Sequence, residues 1–188
     1  MRKLVFFMHT SLDGFVATTK GEIDWAMLDD ELFDYVGVQT DKSDTALYAR
    51  VTYQLMEDYW PTAADKPDAS KHDKQHSAWY KKVEKIIISR TLQQTDFKDR
   101  KVISENIPEE ISKLKQKEGK DIVIFGSPSL GKLLMKENLI DDYCFFVNPI
   151  ILGKGLPLFT DVTNQINLKM VESKVYANGV VGLHYEKR

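Results

Sequence analysis

The stretch from Asp121 to Glu137 constrains the fold of this chain more than any other part of its sequence. It opens with Ile122–Phe125, and a short, uniformly apolar run is typical of a strand buried on both faces of a sheet. Gly126 ends the run, Ser127 is a residue type that caps helices, and Pro128 suits the first helical position. The stretch therefore predicts a buried strand, a tight turn and an amphipathic helix, as found in α/β proteins.

The turn at Gly126 also suits an anionic ligand. A glycine lets a ligand approach the backbone closely, and the free N–H groups in the first turn of a helix favour a phosphate. We therefore interpret this turn as the holder of the pyrophosphate of a nucleotide cofactor. Glycine and serine also form such corners where no ligand binds, so the turn by itself leaves both interpretations open.

Length and composition narrow the class of protein. The 188 residues suit one domain, spanning 1–188, with a sizeable core. A net charge of −2, from 26 basic and 28 acidic side chains, predicts no general attraction to nucleic acid or to an anionic membrane. The apolar runs are far too short to cross a bilayer, and the first residues lack a signal-peptide pattern. The single cysteine, Cys144, excludes an internal disulfide, and we expect a cytoplasmic protein.

The remaining segments predict the rest of an α/β sheet. Apolar runs predict strands over 4–8, 45–48, 85–88, 101–103 and 143–152, and a final hairpin closed by Asn178–Gly179. Helical periodicity predicts helices over 25–38, 49–59, 71–82 and 108–118, while residues 61–70 predict a mobile loop. Because most strands are apolar throughout and the last two form a hairpin, we expect a mixed sheet.

Two polar clusters that follow predicted strands suit phosphate groups. Arg50 and Thr52 lie at a helix start, where a guanidinium and a hydroxyl add to the free amides of the first turn. Ser89, Arg90 and Thr91 come directly after a strand, where open α/β sheets bind ligands, and they suit the extra phosphate of NADP. Arginines are also common on exposed helix starts and loops, so a purely structural interpretation stays open.

Two groups of ionisable residues lie on predicted helices. Asp29 falls within the apolar stripe of the first helix and Asp30 at its edge, and a carboxylate there needs a partner or a proton. One of them either caps the helix or serves as an acid. His72 and His76 lie one turn apart, a spacing that can bind a metal. Since no third ligand lies nearby in the sequence, we expect a solvated surface pair and no metal site.

Five segments together resemble the dihydrofolate reductase superfamily. They are SLDGFVA at 11–17, ARVTYQLM at 49–56, KIIISRTL at 85–92, IVIFGSPSL at 122–130 and LIDDYCFFVNPIILGKGLPLF at 139–159. Within that superfamily the chain is most similar to the reductase domain of the bifunctional riboflavin-biosynthesis deaminase/reductase and to its stand-alone bacterial relatives. No H-x-E followed by a paired-cysteine motif occurs, so the deaminase half is absent.

The resemblance implies a dihydrofolate reductase-like three-layer α/β sandwich that binds NADP(H) across the carboxyl ends of its strands and forms homodimers. The cofactor-binding residues that it implies are Val16 and Ala17 at the nicotinamide, Arg50 and Thr52 at the phosphates, Ser89, Arg90 and Thr91 at the adenosine end, and Gly126, Ser127, Ser129 and Leu130 at the pyrophosphate. The residues that it implies for the substrate pocket are Asp13, Trp25 and Phe33, with Asp29 or Asp30 as the acid that supplies or relays a proton.

The function that the resemblance favours is NADPH-dependent reduction of a small heterocycle, with 5-amino-6-(5-phosphoribosylamino)uracil as the first candidate. That substrate bears a phosphate, for which Lys154 is the candidate partner. Dihydrofolate reduction is the alternative within the same chemistry, and a non-catalytic nucleotide- or ligand-binding protein is the alternative outside it. Two departures bear on the cofactor: Ala49 stands where the family has glycine before the arginine, and Ser127 replaces a second glycine.

Overall fold

Ten strands and five helices build the described part of the chain. The computed structural model describes residues 1–92, 94, 100–160 and 162–188. The strands are β1 Leu4–Thr10, β2 Phe15–Ala17, β3 Ser43–Ala49, β4 Glu84–Ile88, β5 Lys101–Ile103, β6 Asp121–Phe125, β7 Asp142–Val147, β8 Leu156–Pro157, β9 Leu168–Val175 and β10 Val181–Lys187. The helices are α1 Asp30–Asp41, α2 Arg50–Ala63, α3 Lys71–Lys82, α4 Ile107–Gln116 and α5 Pro128–Lys136.

Eight of the strands form one sheet in the order β5-β4-β3-β6-β1-β7-β10-β9. The pairings from β5 to β7 are parallel, whereas β10 is antiparallel to both β7 and β9. Strands β2 and β8 form a separate antiparallel pair. The predicted mixed, mostly parallel sheet is therefore confirmed, as is the final hairpin, whose turn places Gly179 at a φ of 87°.

Helices cover both faces of the sheet, which explains why its central strands are apolar throughout. On one face, Leu4 and Phe6 of β1 pack in a core with α4 and α5. On the other face, Val5 and Phe7 pack in a core with side chains of α1, α2 and α3. A central strand covered on both sides has no polar face to present to water, so the alternation of a half-exposed strand is absent. The three layers predicted from the resemblance are present.

The first helix begins at Asp30, so the prediction of a helix over 25–38 is wrong at its start. Asp29 is the N-cap: its backbone is extended and its Oδ1 accepts a hydrogen bond of 2.8 Å from the Leu32 amide. An aspartate that accepts a hydrogen bond from a free amide of the first turn fixes the start of the helix at that point, although the apolar spacing continues towards Trp25.

Two other predicted boundaries are wrong for related reasons. The predicted loop over 61–70 begins too early, because α2 continues through Pro61 to Ala63, and the Trp60 carbonyl accepts a hydrogen bond from the Ser77 hydroxyl of α3. The predicted strand over 143–152 is too long, because β7 ends at Val147. Asn148 and Pro149 follow it, and proline has no N–H group for a ladder.

Gly131 fixes how closely α5 approaches the sheet. A Cβ added at Gly131 would lie 2.3 Å from Cζ of the fully buried Phe6. We expect Gly131→Ala to lower the free energy of unfolding by about 1–3 kcal/mol through overpacking. Gly37 of α1 is the matched control, since no described atom lies within 4 Å of its added Cβ. Gly37→Ala should raise the same quantity by about 0.5–1 kcal/mol. Urea denaturation measures both, and shifts of the same sign would contradict the prediction.

Candidate functional site

The carboxyl ends of five adjacent strands meet at one edge of the sheet. Strands β4, β3, β6, β1 and β7 are neighbours and parallel, so the residues that follow them share that edge. Those residues are Ser89, Arg50, Gly126, Ser11 and Asn148 in the order of the strands. This is the edge at which open α/β sheets bind ligands.

The corner between β3 and β6 joins the amino-terminal ends of two helices. Gly126 and Ser127 both adopt left-handed conformations, with φ of 60° and 57°. The Ser127 Oγ accepts a hydrogen bond of 3.0 Å from the Ala49 amide, which ties the start of α5 to the start of α2. Ser127 occupies the N-cap position but makes no capping hydrogen bond to α5, so the prediction that its side chain caps this helix is wrong.

No side chain among the described residues neutralises this corner. Neither α2 nor α5 has a side-chain cap, and neither carries an acidic residue in its first turn. The amides at both helix starts therefore remain available, and the positive ends of two helix dipoles lie side by side. A Cβ added at Gly126 would lie 3.9 Å from Thr52 Cγ2, which shows that the glycine and the first turn of α2 line the same corner.

The other cofactor candidates around this corner differ in accessibility. Arg50 is exposed, and its guanidinium donates a hydrogen bond of 3.2 Å to Gln54 within α2. Ser129 is exposed on α5. The side chain of Leu130 is buried in the core on the α4 and α5 face, so only its backbone can face a ligand.

The residues after β4 form a compact polar turn. The buried Ser89 Oγ accepts hydrogen bonds from the amides of Thr91 and Leu92, at 3.2 and 3.1 Å. Arg90 and the side chain of Thr91 are exposed at the carboxyl edge. The Ser89 hydroxyl therefore shapes the turn, and Arg90 is the group of this cluster that is free to approach an anion.

The candidates from the first third of the chain lie around β2. Val16 and Ala17 are buried, and Val16 packs in the core on the α4 and α5 face. A Cβ added at Gly155 would lie 2.3 Å from the Ala17 carbonyl oxygen, so the turn over residues 153–155 lies directly against β2. Lys154, in the same turn, is exposed.

Asp13 bonds to backbone and side chain within its own loops. Its carboxylate accepts hydrogen bonds from the Ser11 hydroxyl at 2.6 Å, the Leu152 amide at 3.1 Å and the Gly153 amide at 2.8 Å. The Ser11 hydroxyl, together with these amides, lowers the pKa of the Asp13 carboxyl. Asp13 therefore holds the loop after β1 against the loop after β7.

The remaining substrate candidates precede or line α1. Asp29 caps the helix, Asp30 is exposed in its first turn, and the half-buried Phe33 stacks on His72 with ring centroids 3.8 Å apart. The Trp25 Nε1 is buried and has no partner among the described residues. Within the described residues, no hydrogen bond or ring contact joins this group to Asp13 or Lys154.

The expectation that His72 and His76 form a solvated surface pair is wrong. Both are buried, because α3 packs against α1 and α2 and turns this face inwards. The His76 ring lies 4.1 Å from the Trp60 ring and 5.6 Å from the Phe125 ring. Burial lowers the pKa of His76 to about 3, and both its ring nitrogens lack partners in the described structure. Among the described residues, no group of three His, Cys, Asp or Glu side chains is placed to hold a metal.

Sequence reasoning missed two residues at the carboxyl edge. His9 lies one residue before the end of β1, and its Nδ1 is 3.3 Å from Nδ2 of the buried Asn148. Asn148 also accepts a hydrogen bond of 2.8 Å from the Met27 amide, which links the end of β7 to the segment before α1. The signal was present, since His9 is the first ionisable residue after five apolar ones in a central strand.

The family model for the RibD C-terminal domain matches residues 2–182. The chain belongs to the RibD C-terminal domain family. This RibD C-terminal domain protein is 35% identical over 192 residues to the uncharacterized protein YyaP of Bacillus subtilis (strain 168), covering 98% of this chain and 94% of YyaP.

Two solved structures carry the same fold as this RibD C-terminal domain protein. A pyrimidine reductase-like protein from Corynebacterium diphtheriae is 16% identical, with a TM-score of 0.70 over 100% of this chain and 92% of the other. A dihydrofolate reductase from Enterococcus faecalis, complexed with NADP(H) and RAB-propyl, is 14% identical, with a TM-score of 0.63 over 99% of this chain and 96% of the other. The dihydrofolate reductase-like fold predicted from the five segments is therefore confirmed. No helix in the described ranges has the length and apolar character needed to span a bilayer.

Proposed function

We propose that this protein is an NADPH-dependent reductase of a small heterocyclic substrate. The observation that carries the proposal is the corner at Gly126, where the uncapped starts of α2 and α5 meet at the ligand-binding edge of the sheet. Backbone amides at two helix starts suit a pyrophosphate, and two cations lie on the β3 and β4 side of Gly126: Arg50 after β3 and Arg90 after β4. The family match supports a reductase.

The cofactor would extend along the carboxyl edge. Its pyrophosphate binds at Gly126, Ser127, Ser129 and the backbone of Leu130, its phosphates at Arg50 and Thr52, and its adenosine end at Ser89, Arg90 and Thr91. The nicotinamide then lies beside Val16 and Ala17. The cofactor supplies the hydride, and the protein holds the acceptor close to the donor carbon and excludes water.

The first candidate substrate is 5-amino-6-(5-phosphoribosylamino)uracil, and dihydrofolate is the second. Asp13, Trp25 and Phe33 are the residues that we propose for the substrate pocket, and Lys154 is the candidate for a substrate phosphate. A non-catalytic ligand-binding protein is favoured by one observation, since the Asp29 carboxylate already caps α1. Calorimetric titration with NADPH tests the cofactor, and NADPH oxidation with each acceptor in turn distinguishes the substrates. Absence of NADPH binding would refute the proposed function.

Replacement of Asp29 by Asn distinguishes two roles of this residue, as the acid of the reaction and as the N-cap of α1. Asparagine caps helices about as well as aspartate, so Asp29→Asn should change the free energy of unfolding by less than about 0.5 kcal/mol. If the Asp29 carboxyl moves the proton that accompanies hydride transfer, kcat should fall by about 10²–10⁴-fold. Single-turnover NADPH oxidation measures this effect, and Asp30→Asn, one residue along and exposed, tests the other candidate acid in the same way. Unchanged turnover in both variants would remove both acids from the mechanism.

The same proposal includes the assembly of the protein. We propose that the reductase is a single domain spanning residues 1–188, that it lies in the cytoplasm and that it forms a homodimer. The support for a dimer is the edge strand β9, on which Met170, Val171 and Val175 are exposed. Exposed apolar side chains on an edge strand favour pairing with another chain.

A further inference from the structure

His9 lies where the proposed cofactor meets the substrate side of the sheet. Strand β1 pairs with β6, with Phe7 opposite Phe125, so the end of β1 lies one strand away from the corner at Gly126. The His9 ring packs 5.0 Å from the Phe146 ring and is partly exposed at this edge. An imidazole at the end of a central strand, beside a ligand-binding edge, is available to a bound molecule.

Asn148 fixes which ring nitrogen of His9 carries the proton. Its amide nitrogen lies 3.0 Å from the Phe146 carbonyl oxygen and 3.3 Å from the Thr10 carbonyl oxygen, and both of these atoms only accept. Its amide oxygen accepts from the Met27 amide, which only donates. Three backbone groups thus determine the amide orientation, and the amide nitrogen faces His9. An Nδ1–H group would face the hydrogens of this amide nitrogen, which has no lone pair to accept it. The contact therefore favours the tautomer in which Nδ1 of His9 is unprotonated and shares the two amide hydrogens with the two carbonyl oxygens.

The remaining nitrogen of His9 has no hydrogen-bond acceptor among the residues that the structure describes. Burial of the ring lowers the pKa of His9 to about 4, so the imidazole is neutral at pH 7 and its proton is on Nε2. Within the described residues Nε2 has no hydrogen-bond partner, and it is not among the fully buried polar atoms that lack one. The structure thus holds a neutral, oriented donor at the edge where the substrate is expected.

We propose that His9 binds the substrate, donating its Nε2–H to a carbonyl oxygen or ring acceptor of a heterocycle that lies beside the nicotinamide, and that Asn148 is the positioning residue for this donor. The proposal rests on the proposed function for the place of the cofactor. A neutral donor recognises an uncharged acceptor atom without requiring a counter-charge, which suits a pyrimidine or pteridine ring. Since Asn148 also bonds to the Met27 amide, it aligns His9 with the segment that leads to Asp29.

The test uses the full chain, labelled with 15N-histidine, and uracil as the probe. Long-range 1H–15N spectra of the NADP+-saturated protein at pH 7 should show His9 protonated at Nε2, and uracil should shift that resonance. His9→Phe should weaken uracil binding about tenfold, the value of one neutral hydrogen bond. His9→Gln, whose amide nitrogen replaces Nε2, should bind within about threefold of the wild type. Asn148→Ala should give a mixture of His9 tautomers.

Each outcome decides the proposal. A His9 resonance that is protonated at Nδ1, or that uracil leaves unmoved while NADP+ binds, would overturn the role of His9 and leave the reductase proposal standing. Equal uracil affinity of the His9→Phe variant and the wild type would do the same. If NADP+ fails to bind, the proposed function falls instead, and the uracil titration without cofactor still decides whether His9 contacts a heterocycle.

Discussion

Replacement of Gly126 by valine should weaken NADPH binding about 100-fold. Charge-assisted hydrogen bonds from backbone amides contribute about 1.5–3 kcal/mol each, and a branched side chain at Gly126 would keep phosphate oxygens from the amides of that corner. The side chain would also be directed towards Thr52, since even its Cβ would lie 3.9 Å from Thr52 Cγ2. Calorimetric titration with NADPH measures the change.

Gly21→Val provides the matched control for Gly126→Val. Both glycines have positive φ, 60° at Gly126 and 85° at Gly21, so both variants carry the penalty of about 1–2 kcal/mol for a side chain in the left-handed region. Gly21 is exposed, and no described atom lies within 4 Å of its added Cβ. Both variants should therefore be destabilised alike, and only Gly126→Val should lose the cofactor. A folded Gly126→Val protein that binds NADPH within threefold of the wild type would refute the proposed pyrophosphate site.

Acid should destabilise the protein well above the pH at which carboxylates titrate. Burial lowers the pKa of His76 from 6.5 to about 3, and burial also lowers the pKa of His72. In the unfolded chain His76 binds a proton near pH 6.5, whereas in the folded protein it stays neutral down to about pH 3. Its contribution to the free energy of unfolding is therefore fully present above pH 6.5 and is lost as the pH falls towards 3. At pH 5 the loss from His76 alone should be about 2 kcal/mol.

Urea denaturation at pH 7.5 and pH 5.0 measures this loss. His76→Phe keeps an aromatic ring beside Trp60, Trp79 and Phe125 and removes the titrating group. The variant should lose about 2 kcal/mol less than the wild type between the two pH values. Comparison at pH 7.5 shows whether the variant folds normally. An identical pH dependence in the two proteins would show that the pKa of His76 is the same in the folded and the unfolded chain, which would contradict the prediction.

The central sheet was predictable from the sequence because a strand that is buried on both faces is apolar at every position. The runs at Leu4–Met8 and Ile122–Phe125 are apolar throughout, and each is a central strand. The turn at Asn178–Gly179 was equally local, since it requires a residue that accepts positive φ. The starts of helices were harder to predict. Around Asp29 the apolar periodicity predicts a helix that begins near Trp25, whereas a capping aspartate predicts one that begins at Asp30, and no local pattern decides between them.

The site was only partly predictable, because its geometry depends on contacts between distant residues. The anion corner at Gly126 and Arg50 was inferred from two helix starts, yet the bond from the Ala49 amide to Ser127 appears only when β3 and β6 are neighbours. His72 and His76 looked solvated because no local pattern shows that α1 and α2 cover them. The pair of His9 and Asn148 is separated by 139 positions, and no spacing rule reaches across that distance.

The central position of β1 has a consequence for protein synthesis. Its partners β6 and β7 end at residues 125 and 147, more than a hundred residues after β1 leaves the ribosome. At about 5–20 residues per second, this apolar strand waits on the order of ten seconds for a partner. During that interval the nascent chain exposes an unpaired, aggregation-prone segment, so a chaperone that binds near the amino terminus should raise the yield of folded protein more than one that binds elsewhere.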